Sequence, residues 1–494
     1  MLQMDSSVYI TAIGLAFASF LYYIYYYYVK PYSFFEKLNI PGPKPKYIFG
    51  NLLDSKYGYR HLRLNDYIKE YGKVVGLYYG QIPIIHIADP DIVHEILVKQ
   101  SDQFLNRINL VPSFERPVGL MEARDEDWRN ARTSLSPLFS PNKLKIMSQF
   151  ANDAGSNLLC KILASIEQHN NVLDMKKLFY DAAMEMSLTS FFGIQATEKK
   201  REEFETGFSD FMKGLSRPFA AWSIALPKIF IFFSIFFARK QVLGIMKTFS
   251  ILQQIVKTRR QELEQGVITR TDMLKLIIEA EHKEKITDQD TVQHCFTFLI
   301  GGYDTTASTL TYVAFLLATN PNIQEKLIEE IDQQCHDESD LTYAGIQKLT
   351  YMDMVVNETL RYFSPGYVNL REAKNDCIIQ GIRFPKGVGV AIAVKAIHDD
   401  PAIWQNPEKF DPERFSSEAK ANRHPCYFLP FSDGPRKCIG LRLGIMNMKL
   451  ILTRLLQRVK FEVAKETEIP LPTVVQFTVA PENPVNLKVV HRIK

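Results

Sequence analysis

Hydrophobic positions along this chain fall into three regimes: one unbroken apolar run at the start, helix-period stripes through the middle, and short strand-like stretches near both ends of the body. The run is Val8 to Val29, 22 residues without a charge, and as a helix it would span roughly 33 Å, enough to cross a bilayer core. It ends in Tyr22-Tyr23-Ile24-Tyr25-Tyr26-Tyr27-Tyr28, not in the small residues that a cleavage site needs, so residues 1–30 predict a retained transmembrane anchor rather than a signal peptide. Asp5 precedes the span while Lys30 and Lys37 follow it, a bias that favours a cytoplasmic C-terminal side. Pro41-Gly42-Pro43-Lys44-Pro45 forbids helix and predicts a stiff hinge over residues 31–45.

Beyond the hinge the pattern becomes mostly helical. Val74 to Tyr79 and Ile82 to Ile87, separated by Gly80-Gln81, predict a strand pair, and Asp89 to about Asp210 reads as amphipathic helices. Arg217 to Lys240 is nearly continuous in phenylalanine and isoleucine; the run after Lys228 is too short to span a bilayer, and it predicts a segment that dips into a membrane and rims a substrate entrance, or else a pair of core helices. Thr287 and Asp290 resemble a capping box at the head of a long helix over Ile286 to Ala318, which Asn320-Pro321 ends. Further helices are expected over Pro321 to Gln334, Tyr343 to Tyr362 and Leu441 to Leu456, with strand character in Cys377 to Val394 and Phe461 to Val490. No repeat or low-complexity linker divides residues 46–494, so the expected fold is one large domain, mainly α with small β-sheets, of α+β class.

Composition narrows the partners more than the fold. With 46% hydrophobic residues over 494 positions there is ample core, and a net charge of +4 without dense Lys/Arg runs argues against nucleic acid and for an acidic protein or membrane surface. The six cysteines, Cys160, Cys295, Cys335, Cys377, Cys426 and Cys438, show no C-x-x-C spacing, so neither a zinc module nor a disulfide framework is expected and the body belongs in a reducing compartment.

The chemistry concentrates at Phe431-Ser432-Asp433-Gly434-Pro435-Arg436-Lys437-Cys438-Ile439-Gly440, just ahead of the Leu441 helix. Free N–H groups and the positive end of the helix dipole favour a thiolate at Cys438. Gly434 and Gly440 allow close approach of something flat, and Arg436 offers a fork for a carboxylate. A thiolate on the iron of a haem meets all three conditions. Within the long helix, Gly301-Gly302-Tyr303-Asp304-Thr305-Thr306 costs about 1 kcal/mol per glycine, which is consistent with a groove beside the helix into which Thr305 donates, or with a kink where Thr305 bonds back to the Gly301 carbonyl. Glu358 and Arg361, at i and i+3, share a helix face, as do Trp128 and Arg132 at i and i+4.

The pattern F-x-x-G-x-R-x-C-x-G resembles the cysteine-ligand loop of the cytochrome P-450 superfamily, the haem-thiolate monooxygenases. Gly301 to Thr306 is similar to that family's A/G-G-x-D/E-T-T/S element, Glu358 to Arg361 to its E-x-x-R, Pro412-Glu413-Arg414-Phe415 to its P-E-R-F, and Trp128 to Arg132 to its W-x-x-x-R. The resemblance implies a cytochrome P-450 fold over residues 46–494, haem b as cofactor and Cys438 as the axial iron ligand. By the same resemblance Thr305 and Asp304 would manage protons during oxygen activation, and Glu358, Arg361 and Arg414 would form a buried structural triad. Arg107, Trp128, Arg132, Arg371 and Arg436 would meet the propionates, while Ile300, Gly301, Pro365, Gly366, Tyr367 and Val368 would approach the substrate.

The chain looks most like the microsomal clan that oxidises drugs and steroids, which implies monooxygenation of lipophilic small molecules (xenobiotics, steroids or fatty acids) with O2. Electrons would come from NADPH through a separate reductase, with cytochrome b5 as a further partner, at the cytoplasmic face of the endoplasmic reticulum. Lys437 and Arg442 beside the cysteine could attract an acidic reductase surface, against ordinary solvated charge as the alternative. Two other activities remain open at this stage: a haem-thiolate isomerase or dehydratase that needs no reductase, and a membrane-anchored haem protein that only binds ligands. Gly301 stands where alanine is common, and Ser364-Pro365-Gly366 carries its proline at an unusual place.

Overall fold

The computed structural model describes residues 6–54, 63–110, 119–195, 197–202, 204, 208, 218–227, 230, 239–267, 271–281, 287–475 and 478–492. Most of the apolar stretch between Lys228 and Arg239 lies outside them; of the segment before it, Pro218–Ala225 is helical.

The architecture follows from one helix. Asp288–Thr319, 32 residues long, is capped by Thr287, whose hydroxyl accepts from the Asp290 N–H at 3.2 Å while Asp290 Oδ2 accepts from the Thr287 N–H at 3.0 Å. That reciprocal box satisfies two of the N–H groups a helix start leaves without partners. Most of its residues are buried, because helices pack on it from several sides: Met175–Phe192, Arg239–Glu264, Thr350–Tyr362 and Leu441–Leu456. A helix apolar on most faces belongs at the centre of a large core.

A second, smaller core forms under a four-stranded sheet in the order Val74–Tyr79, Ile82–Ile87, Gly389–Ile392, Asn369–Glu372. The first pair is an antiparallel hairpin with Val74 opposite Ile87, turned at Gly80 with φ +62°. Ile82–Ile87 then runs parallel to Gly389–Ile392 with Ile84 beside Gly389. Thr473–Val475 and Val479–Pro481 form a hairpin, and Val172–Asp174, Asn486–His491 and Val459–Val463 form a three-stranded sheet.

Two expected boundaries move. The helix expected from Tyr343 begins at Thr350, preceded by a single 3-10 turn over Gly345–Lys348. Its start is set from outside: the Glu330 carboxylate of the neighbouring helix accepts from the N–H groups of Tyr351 and Met352 at 2.6 and 2.9 Å, a cap that local sequence does not carry. The N-terminal apolar helix also runs on past residue 30, helical in successive turns from Ser6 to Leu38, with Thr11–Leu38 long and apolar enough to cross a membrane. Its last turn is docked. Phe35 is buried against Gly76, where an added Cβ would lie 2.5 Å from the ring, and the Tyr78 hydroxyl donates to the Tyr32 carbonyl at 2.9 Å. The proline segment that follows lies along the same strand, Gly76 N–H donating to the Pro41 carbonyl at 2.8 Å.

Burial also fixes an acid response. His86 and His398 are fully buried and His294 nearly so. Burial pushes His86 down to about 3 and holds His398 well below the ordinary imidazole value; His294 is lowered to about 4 by burial, opposed by Asp290. All three stay neutral in the folded chain and take up protons on unfolding below pH ~6.5, so their contribution is present above that pH and lost as pH falls from there toward 4. Each group then removes up to about 1.4 kcal/mol of stability per pH unit. Urea melts across that range should show the loss, and His86→Phe, which removes two buried ring nitrogens without partners, should flatten it; an unchanged slope in that variant refutes the assignment.

Candidate active site

Phe431 to Gly440 forms a tight loop because the chain must pass under Leu97. Gly434 has φ +72°, and an added Cβ there would lie 1.8 Å from the Leu97 carbonyl oxygen, so no other residue fits. Backbone bonds from Lys437 N–H to the Gly434 carbonyl and from Cys438 N–H to the Phe431 carbonyl, both 3.0 Å, close the turn. They deliver the Cys438 side chain to the head of the Leu441–Leu456 helix with one face left open. Surrounding protein pushes the thiol up, and four groups pull the other way: the N–H groups of Gly440 and Leu441, and the guanidinium groups of Arg132 and Arg107. The helix start expected to favour an anion thus donates directly to the sulfur.

Arg107 and Arg132 face this sulfur, and Arg371 and Arg436 stand beside Arg107; Glu122 acts on Arg107 from a distance, and none of the four has a carboxylate at ion-pair distance among the described residues. Arg436 is buried over the Trp128 ring, 4.4 Å from its centroid, and its guanidinium is held by the carbonyls of Leu105, Leu120 and Ala123 at 3.0, 3.2 and 2.5 Å. Arg371 bonds the Leu370 carbonyl at 2.8 Å and Ser432 Oγ at 3.1 Å, and Arg107 the Met121 carbonyl at 2.9 Å. Burial, then repulsion from Arg107, Arg371, Arg124 and Arg132, pushes Arg436 down to about 8; burial and Arg107 bring Arg371 to about 9. A guanidinium does not surrender its proton in a protein. This crowding of positive charge, buried at Arg371 and Arg436, is relieved by anions, which suits a group that brings two carboxylates to the open side of a thiolate. The donor set therefore fits a haem.

Across from the loop, Phe139 bridges to the central helix, its ring 5.7 Å from Phe298 and 3.9 Å from where a Gly440 Cβ would stand. One turn on, the two adjacent glycines have different reasons to exist. Gly302 is pressed against Phe191, where an added Cβ would meet the ring at 2.7 Å, whereas Gly301 is exposed with nothing within 4 Å of that position. Gly301→Ala is accordingly expected to keep the fold and raise helix stability by about 1 kcal/mol, while Gly302→Ala should destabilise by about 1–3 kcal/mol. Thermal melts of the pair that came out equal would refute the distinction.

Thr305 Oγ1 donates back to the Gly301 carbonyl at 2.6 Å, as the kinked-helix alternative expects. Asp304 points elsewhere. Its carboxylate is buried, accepting from the Tyr180 hydroxyl at 2.7 Å and from the Thr478 hydroxyl, and Tyr180 also meets Ser308 Oγ at 2.8 Å. Burial raises the Asp304 carboxyl, opposed by Thr478, Tyr180 and Lys176. Asp304 and Thr305 are therefore consecutive in sequence but face different surroundings, as residues about 100° apart on a helix must. Nothing in the sequence near Asp304 announces Tyr180 or Thr478.

Ile300 is buried in the main core beside Gly301. Pro365 and Gly366 belong to a segment tied down by Val479 N–H to the Pro365 carbonyl at 3.0 Å and Lys395 N–H to the Tyr367 carbonyl at 3.1 Å. An added Cβ on Gly366 would approach the Pro430 carbonyl at 3.5 Å, next to the cysteine loop. Val368 packs against the sheet core, and Tyr367 lines a separate cavity with Tyr362 and Phe363.

The three ionic residues expected to meet do so. Arg361 and Glu358 are fully buried and paired through two 2.8 Å bonds, Nε to Oε2 and Nη2 to Oε1. Arg361 also donates to the carbonyls of His398 and Pro407 at 2.9 and 2.8 Å, and Arg414 Nε lies 3.4 Å from Glu358 Oε1. Asp411 N–H donates to that same oxygen at 3.0 Å, so the pair pins the Pro412–Phe415 turn to the Thr350–Tyr362 helix.

Comparison with known proteins agrees with this geometry. The sequence profile of the family "Cytochrome P450" matches residues 40–489. Cytochrome P450 3A14 of Cavia porcellus is 35% identical over 490 residues, covering 95% of this chain and 94% of that protein. Cytochrome P450 3A28 of Bos taurus is 36% identical, covering 96% and 95%, and cytochrome P450 3A29 of Sus scrofa is 34% identical, covering 96% of each. A thiolate-binding loop, an uncompensated arginine cluster and a glycine-opened central helix thus coincide with a match along nearly the whole chain, and the protein belongs to the cytochrome P450 family of haem b-dependent, haem-thiolate monooxygenases.

Proposed function

We propose that the chain is a membrane-anchored monooxygenase of lipophilic small molecules, with Cys438 as the proximal ligand of its haem. The observation that carries this reading is the cluster of Arg107, Arg132 and the buried Arg371 and Arg436, none within ion-pair distance of a carboxylate among the described residues, beside an open cysteine at a helix start. Arg107, Arg132, Arg371 and Arg436 hold the propionates, and Trp128 supports Arg436 from below. When bound, the haem would supply oxygen activation, and electron density from the Cys438 thiolate would favour O–O cleavage.

The other residues serve that group. Gly301 leaves space beside the helix, the Thr305 hydroxyl holds a proton at the edge of that space, and the Asp304 carboxylate accepts from the Tyr180 and Thr478 hydroxyls on another side of the helix. Ile300 and the Pro365–Val368 segment bound the substrate side. Glu358, Arg361 and Arg414 are structural.

Redox partners are required by the family; the specific ones proposed are an NADPH-dependent reductase and cytochrome b5, docking near Lys437 and Arg442. The anchor over residues 1–30 and the hinge over 31–45 would hold a catalytic domain of residues 46–494 on the cytoplasmic face of the endoplasmic reticulum. Lipophilic substrates agree with the apolar Arg217 to Lys240 segment and with the exposed side chains of Trp222, Leu243 and Met246.

The test is reconstitution of the full chain in vesicles with reductase and NADPH. Oxidation of steroid or fatty-acid probes that requires both components is the expected result. Turnover of a probe without either would favour the isomerase or dehydratase alternative.

A further inference from the structure

A second cavity, of about 540 Å³, borders the same Ser364–Val368 segment. The segment has one edge against Pro430, ahead of the cysteine loop, and another on this cavity, into which Phe363, Ser364 and Tyr367 face. Leu64, Ser364 and Val475 at its base are buried, and half-buried Phe363 and Val479 form walls. Phe363 stacks one face on buried Tyr312 at 4.3 Å, so its free face presents a rigid aromatic plane. The volume lies within the range of about 300–1,000 Å³ that small-molecule sites occupy.

The charges around the cavity cancel. Arg63 pairs with Asp66 at 2.8 Å and Lys395 with Asp399, and the remaining Lys69 and Glu408 are of opposite sign. No net field draws an ion into it. Lys395, in the short Val394–His398 helix, is a partly buried cation that shares the lining with Tyr362 and Tyr367; burial lowers its ammonium, opposed by Asp399. An ammonium carries three donors, so the Asp399 bond leaves others for a ligand.

We propose that this cavity is a second binding site, for an uncharged ring compound carrying one hydrogen-bond acceptor that meets the Lys395 ammonium. The segment it borders is tied by backbone N–H groups of Val479 and Lys395, both in the cavity lining. Occupancy therefore alters the segment placed on the substrate side, a coupling that rests on the function proposed above.

Benzophenone, with two rings and one ketone, is both ligand and photolabel. Irradiated with the full-length haem-loaded protein, it should form adducts on peptides carrying Leu64–Lys69, Tyr362–Tyr367 or Thr473–Val479. Val479→Trp, which fills the cavity, should cut labelling there at least tenfold, and Lys395→Met should raise the half-saturating concentration about tenfold. Saturating benzophenone should also shift the Kd of imidazole for the haem about threefold or more, and Val479→Trp should abolish the shift. No adducts on those peptides, in protein with a normal reduced CO-bound spectrum, overturns the site and leaves the haem assignment standing. Adducts without a shift in imidazole Kd overturn the coupling, and a missing CO-bound spectrum places the failure in the haem assignment instead.

Discussion

Glu358→Ala is expected to give protein that loses haem or fails to accumulate, with a stability loss of about 3–5 kcal/mol. Glu358 and Arg361 are both fully buried, so removing the carboxylate strands a guanidinium that has no solvent to turn to. Asp411 N–H loses its acceptor and Arg414 its ion-pair partner in the same step, and the Pro412–Phe415 turn is released from the helix it is pinned to. Arg361→Ala should cost a similar amount, and because the two deletions remove one network the double variant should cost well under their sum. Haem content per protein and the urea midpoint measure this directly. Normal haem loading in either single variant would remove the triad from the account.

Cys438→Ser should keep the fold and lose the thiolate. Oxygen replaces sulfur at nearly the same volume, the loop bonds to Phe431 and Gly434 are backbone bonds that persist, and far-ultraviolet dichroism should be unchanged. Serine under the same N–H groups does not ionise near neutral pH as a cysteine can. The thiolate band of the wild-type reduced, CO-bound difference spectrum should therefore be lost in the variant, and reductase-supported turnover should fall below detection. If the two spectra agree, the axial ligand is another residue.

How much of this was legible in the sequence depended on how local the cause was. Pro321–Gln334 and Leu441–Leu456 match their expected bounds, as does the Val74 to Ile87 hairpin, because an Asn-Pro stop, a glycine before a periodic stripe and a Gly-Gln turn act within a few residues. The Thr287 and Asp290 capping box is legible for the same reason. By contrast, the Tyr343 boundary moved because Glu330, on another helix, decides where backbone N–H groups find acceptors. Asp304 was found by its place in a motif, but its partners lie 124 and 174 residues away and only packing brings them there. The four arginines could be picked out singly. Their mutual repulsion, the more telling fact, arises only once the chain is folded.

Phe35 in the notch left by Gly76 makes the membrane end of this chain a lever with a fixed fulcrum. If the Thr11–Leu38 helix spans a bilayer as proposed, that ring and the Tyr78 hydroxyl tie it to the strand Val74–Tyr79, and so to the sheet that carries Asn369–Glu372 with Arg371. Bilayer thickness, which contributes to the tilt of a spanning helix, would in that case also bear on how the catalytic body sits at the surface. A larger side chain at Gly76 would uncouple the two while leaving the cysteine loop in place.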